Sequence, residues 1–312
     1  MKIKDIYKKA IEEGKKADFR DKKEIKWKLS RTKEEYESLS DEKKEFFDKE
    51  RLENPYSDTR ILHGDPDTEV KKVMVGIDID GEELLLADKL GDIDLVISHH
   101  PRGKALAGLD DVMDLQIEML AHYGVPVNIA EKLLKKKIKE VSRSLSPGNH
   151  QRAVDVARLL DIPLMSIHTP CDNMVAEFVE DKLKKEEPRL LKDVLSSLRE
   201  IPEYKEAEKI GAGPKIFVGN KKNRAGKIVL TEITGGTEGS AEIYQKLADV
   251  GAGTIIGMHI SEKHRKEANK AHINVVIAGH MSSDSIGVNL FLDKLKDLEI
   301  VPCSGFIRYK RG

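Results

Sequence analysis

The stretch Asp94-Leu95-Val96-Ile97-Ser98-His99-His100-Pro101 decides how this chain is read. Its first half is an apolar run of strand length. Its second half sets two imidazoles and a proline where a strand has to stop, because proline offers no N–H to a neighbouring strand. The same texture returns twice. Pro163-Leu164-Met165-Ser166-Ile167-His168 runs on to Asp172, and Asn274-Val275-Val276-Ile277-Ala278-Gly279-His280 runs on to Asp284. In both, a carboxylate follows the histidine by four positions. The carboxyl ends of parallel strands lie along one edge, where ligands bind. Side chains nearly 200 positions apart can therefore converge there.

Outward from these segments the chain alternates buried-strand and amphipathic patterns. Residues 73–79, 94–100, 125–130, 163–168, 227–233, 253–260 and 274–280 read as strands. Residues 82–90, 111–123, 151–160, 239–250 and 283–297 read as helices. That alternation predicts an α/β layered fold with a largely parallel sheet over residues 56–312. Residues 1–55 are dense in charge, but Ile3, Ile6, Tyr7, Ala10 and Ile11 recur at helical spacing. Thr32 and Glu35 have the spacing of a capping box, and Ser40 precedes a helix carrying Phe46 and Phe47. The expectation is a helical extension packed on the outside of the core. Lys182 to Glu208, broken by Pro188 and Pro202, reads as an exposed helical insertion between halves at about 70–175 and 225–305. Lysines 135–137 read as a solvated helix face.

Composition narrows the class of function. Lysine and arginine number 54 against 55 aspartates and glutamates, for a net charge of −1. With aromatics at 5%, little basic or stacking surface is left for nucleic acid. A charged fraction of 35% exceeds the average of about 25% and suits a thermophile. Two cysteines build no disulfide framework, and no apolar run approaches the roughly 20 residues of a membrane span, so the expectation is a cytoplasmic protein with no membrane partner.

The residues at the three strand ends suit a metal. Imidazole and carboxylate together take zinc, iron, manganese or nickel. If a helix starts just after the histidine, positions i and i+4 share a face; Ser282 or Ser283 would then cap the helix holding Asp284. Pro170 argues instead for a loop between His168 and Asp172. His150 and His259 are candidate proton-transfer residues, and His264 reads as solvated on a charged helix. Arg102 and Lys104 could meet a phosphate at the mouth of the site. The glycine turn 235–240 opens a helix and could cradle an anion. Cys171 reads as a buried small side chain.

These residues resemble the NIF-three-like family of dinuclear metal-centre proteins, part of which is known as GTP cyclohydrolase 1 type 2. Ser98-His99-His100-Pro101 matches the family's His-His-Pro signature, and His168-Thr169-Pro170-Cys171-Asp172 its His-Thr-Asn-x-Asp. Gly279-His280-Met281-Ser282-Ser283-Asp284 matches its Gly-His-x-x-x-Glu, with aspartate for glutamate. Residues 235–240 are similar to the turn opening its second half. The resemblance runs from about residue 70 to 300. It implies two related, intertwined α/β halves assembled as a homohexamer, and two metal ions held by His99, His100, Asp172, His280 and Asp284. His168 is then expected to orient Asp172 from behind. The function implied is a metal-dependent hydrolase that uses a metal-activated hydroxide on a nucleotide or other phosphorylated substrate. The alternative is a non-enzymatic metal-binding assembly or regulatory protein.

Overall fold

The computed structural model describes residues 1–311. Its strands are β1 (Arg60–His63), β2 (Lys72–Gly76), β3 (Leu95–Ser98), β4 (Leu164–Ser166), β5 (Lys215–Val218), β6 (Lys227–Leu230), β7 (Ala252–Gly257), β8 (Asn274–Ile277) and β9 (Glu299–Cys303). The first nine helices are α1 (Ile3–Lys16), α2 (Lys22–Ser38), α3 (Asp41–Glu45), α4 (Gly81–Leu90), α5 (Gly103–Ala107), α6 (Leu115–His122), α7 (Val127–Leu145), α8 (Arg152–Leu160) and α9 (Thr169–Glu186). There follow α10 (Leu191–Arg199), α11 (Pro202–Lys209), α12 (Ile243–Asp249), α13 (Glu262–Lys270) and α14 (His280–Leu292).

The strands form two mixed sheets, ordered β1-β4-β3-β2-β9 and β5-β8-β7-β6. Within each, three consecutive strands run parallel and the preceding one pairs antiparallel at the edge. The second sheet therefore repeats the strand order and polarity of the first. After completing it, the chain returns and adds β9 parallel to β2, which threads the two halves together. One hydrophobic cluster covers the second sheet, and two others pack the faces of the first. This is the mixed α/β fold that the strand–helix alternation predicts.

Several local expectations fail for identifiable reasons. Residues 125–130 are no strand: Pro126 is the N-cap of α7, and the apolar run is the opening of a longer helical stripe. Ala130, Leu134 and Val141 of that stripe are buried, and a window of six residues is too short to reveal the period. Three strands escaped notice. β1 and β5 are short edges with mixed burial, and β9 contains Pro302, tolerated because β9 is itself an edge. Thr32 lies inside α2, whose N-cap is Asp21, and its hydroxyl bonds the Lys28 carbonyl.

The N-terminal helices are only partly external. Ile3, Ile6 and Ala10 of α1 are fully buried in a cluster with β2, β3 and α9 residues, whereas α2 buries only Ile25. Nor is 182–208 an exposed insertion. Leu191, Val194, Leu195 and Leu198 of α10, with Tyr204 of α11, belong to the second core, and the charge lies on the outer faces.

Helices α9 and α14 start from the carboxyl ends of β4 and β8, one from each sheet, and they cross closely. At the crossing Gly287 lies so near the Cys171 carbonyl that no Cβ fits. This contact sets the two sheet edges against each other. Gly287→Ala is therefore expected to lower unfolding stability by about 2 kcal/mol through overpacking, read from urea denaturation midpoints. An unchanged midpoint would contradict the tight crossing.

Candidate metal centre

His99 and His100 follow β3, His168 follows β4, and His280 follows β8. His168 is the N-cap of α9 with Pro170 in the first turn, so Asp172 sits on that turn rather than in a loop. The expectation from Pro170 fails because the first-turn N–H groups have no intrahelical acceptor to lose. At α14 the cap is Gly279, at φ 112°, and His280 is the first helical residue. Ser282 and Ser283 cap nothing; the Ser283 hydroxyl bonds the Gly279 carbonyl at 2.6 Å.

These elements bring the side chains together. His99 Nε2 lies 3.3 Å from Asp172 Oδ1 and 3.6 Å from Asp284 Oδ1. On the other side of the same carboxylate, Asp284 Oδ2 lies 3.4 Å from His100 Nε2 and 3.7 Å from His280 Nε2. His168 Nε2 faces Asp172 Oδ2 at 3.6 Å. His99 and Asp284 are 0% and 1% exposed, yet His99 Nε2, Asp172 Oδ1 and both Asp284 oxygens have no hydrogen-bond partner. Buried polar atoms are normally paired. Four orphans facing one another at these spacings fit a shared cation. Three overlapping groups could hold one: His99 with Asp172 and Asp284, His100 with His280 and Asp284, and His99 with His100 and His168. The aspartate that stands for the family's glutamate thus reaches both sides.

The far nitrogens are anchored. His99 Nδ1 donates to the Ile167 carbonyl at 3.1 Å, His100 Nδ1 to Asp78 at 2.9 Å, and His168 Nδ1 to Asp58 at 2.8 Å. Such outer partners fix the tautomer and aim Nε2 at a metal. Asp58 is fully buried and also accepts from the Thr169 hydroxyl and N–H. The sequence reading missed Asp58 and Asp78. Asp58 lies in the connection between α3 and β1, and Asp78 just past β2, a strand end that carries no histidine.

A small cleft of about 30 Å³ opens beside these groups, lined by His168, Asp172, His280 and Asp284. Glu232, Ile233, Thr234, Gly236, Thr237, Met258 and His259 line it as well. The roomier groove along β6, lined by Leu183, Pro188, Leu190 and Ile228, contains none of the cluster. His259 reaches the cleft and sits 5.2 Å, ring to ring, from His280. His150 is not among its lining residues; the loop holding it packs on α5, where the Gly103 N–H donates to its carbonyl. His264 is buried rather than solvated, with Tyr244 and Glu238 against its two nitrogens. Arg102 and Lys104 are committed elsewhere, Arg102 to Asp78 and the Ile79 carbonyl, Lys104 to Asp48 and Glu50. The glycine turn meets the cleft through Gly236, but its Gly239 N–H is taken by Glu232. Cys171 is buried as expected.

Burial alone would lower the His99 pKa, but the Asp284 and Asp172 carboxylates overcome it and hold it well above the usual imidazole value. Burial would raise Asp284; His99 and His100 hold it far below the carboxylate range. His259 and His280 are lowered by burial, which favours their neutral forms.

Fold and site together define a two-sheet α/β protein with a histidine–carboxylate cluster, able to hold metal, where the sheet edges meet. No family model and no curated protein matches the chain. A NIF3 superfamily protein from Sphaerobacter thermophilus does so among solved structures, with TM-score 0.71 and 27% identity over 81% of this chain and 93% of its own. Reduced HcgD from Methanocaldococcus jannaschii matches at TM-score 0.48 and 17% identity, over 78% of this chain and 87% of its own. Protein TTHA1606 from Thermus thermophilus matches at TM-score 0.42 and 16% identity, over 78% and 86%. In fold and in sequence over most of its length, the chain is similar to a NIF3 superfamily protein. None of its described helices is long and apolar enough to cross a membrane.

The pKa directions predict how the metal-free protein responds to pH. His99 lies above its unfolded value, so its contribution is complete below about pH 6.5 and is lost as pH rises through the folded value. Asp284 lies below its unfolded value, so its contribution is present above about pH 4 and is lost as pH falls. Melting temperature in chelator should therefore decline on the alkaline side of about pH 6.5, and zinc should remove that decline by replacing the proton. A chelated protein whose melting temperature stays flat there would contradict the assignment.

Proposed function

We propose that this chain is a dinuclear metal-dependent hydrolase, GTP cyclohydrolase-like or acting on another nucleotide or phosphorylated substrate. The observation that carries the proposal is the Asp284 carboxylate, buried and unpartnered, with Oδ1 toward His99 and Oδ2 toward His100 and His280. One ion is assigned to His99, Asp172 and Asp284, the other to His100, His280 and Asp284. His168 is assigned as a further donor rather than a support behind Asp172, because its anchored Nδ1 leaves Nε2 toward the same space. His/carboxylate donors accept zinc, iron, manganese or nickel.

When bound, two divalent ions lower the pKa of water and polarise the bond to be attacked. The chain's own residues do the rest. Ile167, Asp78 and Asp58 orient the imidazoles, while Ile233 and Met258 shield one wall of the cleft. His259, beside His280, is held neutral by burial and is free to accept a proton. Few protein donors for two ions leave positions open for water and substrate, which favours an enzyme over a metal store. The homohexamer remains an inference from the family resemblance.

Metal analysis after reconstitution tests the assignment. The wild type is expected to retain about two equivalents, His280→Ala about one, and Asp284→Ala neither tightly, all three remaining folded by circular dichroism. Full retention by Asp284→Ala would overturn the bridging role. A turnover screen of the loaded protein on GTP, other nucleotides and phosphodiesters tests the hydrolase reading. Activity that is absent, or that survives in both variants, would refute it.

A further inference from the structure

The cleft holds one acid that the metal assignment leaves unused. Glu232 lies just past β6 with its backbone at φ 57°, a left-handed conformation that non-glycine residues keep only where their surroundings impose it. Here the Met258 N–H donates to its carbonyl at 3.1 Å, and the Gly239 N–H donates to both carboxyl oxygens at 3.1 and 3.2 Å. The residue is 8% exposed and lines the same cleft as His168, Asp172, His280 and Asp284. The only hydrogen-bond partner of its carboxyl group among the described residues is that one neutral amide, and no ion pair balances its charge.

The titratable groups around Glu232 do not favour its charged form. Glu238 of the same loop is a second acid, and Lys137 of α7 is the one cation that acts on it, weakly. Tyr244 of α12 is a neutral neighbour, His259 after β7 shares the cleft and is neutral, and His264 of α13 faces Glu238. Burial, with Glu238 adding to it, pushes the carboxyl up to about 8, against the Gly239 N–H and Lys137. Bound divalent ions would pull it part of the way back.

We propose that Glu232 is the proton-exchanging acid of this cleft, placed to protonate the leaving atom of a phosphoester or amide-like substrate held against the histidine–aspartate cluster. The proposal rests on the hydrolase reading. In the step, water oxygen adds to the electrophilic atom and the bond to the leaving oxygen or nitrogen breaks. The leaving atom keeps the bonding pair and takes the proton of the Glu232 carboxyl. The carboxylate regains a proton from the attacking water, so atoms and charge balance.

Glu232→Gln tests this, since the amide keeps an acceptor for Gly239 and cannot titrate. Infrared difference spectra between wild type and variant should contain a protonated-carboxyl band that titrates well above the usual value of about 4.3. The midpoint should be near 8 in chelator and lower in the zinc-loaded protein. Metal content should be unchanged. On the loaded protein, the variant should lose about 10²-fold or more on diphenyl phosphate, and far less on bis(4-nitrophenyl) phosphate, whose leaving group scarcely needs a proton. A band titrating in the ordinary carboxylate range, a loss of metal, or equal losses on the two esters would overturn the proposal. Failure of the hydrolase reading looks different. The zinc-loaded wild type would then turn over neither ester while the band still titrated high, and the catalytic role would fall with it.

Discussion

Asp172 and Asp284 place two carboxylates in nearly complete burial, where an ionised group is strongly disfavoured unless paired. The opposite shifts of His99 and Asp284 describe mutual compensation: the carboxylates favour the protonated imidazole, and the imidazoles favour the ionised Asp284. That arrangement leaves four buried atoms without hydrogen bonds and is thus incomplete as a structural ion pair. A cation in place of the proton would satisfy all of them at once. The rest of the architecture serves to hold these groups at this spacing.

The sheets contribute edges and the helices set them against each other. His99 and His100 come from the first sheet, His280 from the second, and Asp172 and Asp284 from the helices that cross at Gly287. Repetition of strand order in the two sheets gives both edges the same polarity. The N-terminal region takes part as well. Asp58, which anchors His168, is continuous with Tyr56, whose hydroxyl bonds Asp18 just past α1. Displacing α1 would therefore disturb an imidazole of the cluster.

Much of this was legible in the sequence because buried parallel strands are apolar runs and their ends are abrupt. The histidines announced themselves at those ends, and the i, i+4 spacing anticipated the face shared by His280 and Asp284. Less legible were features set by long-range pairing. β9 joins the first sheet only through its partner β2, and nothing local in Glu299–Cys303 reveals that. Asp58 and Asp78 are single acids in a chain rich in acids, and only the fold brings them behind an imidazole. The burial of His264 and of α10 was hidden because charge on an outer face masked an apolar inner one. Glu232 was invisible for a related reason: its surroundings, not its neighbours in sequence, make it unusual.

The most direct test of a shared two-ion centre is anomalous diffraction from crystals of the manganese- or zinc-loaded protein. The account predicts two peaks about 3.5–4 Å apart, one on each side of the Asp284 carboxylate. The first should be ringed by His99 and Asp172, the second by His100 and His280. A single peak, or ions bound away from Asp284, would contradict it.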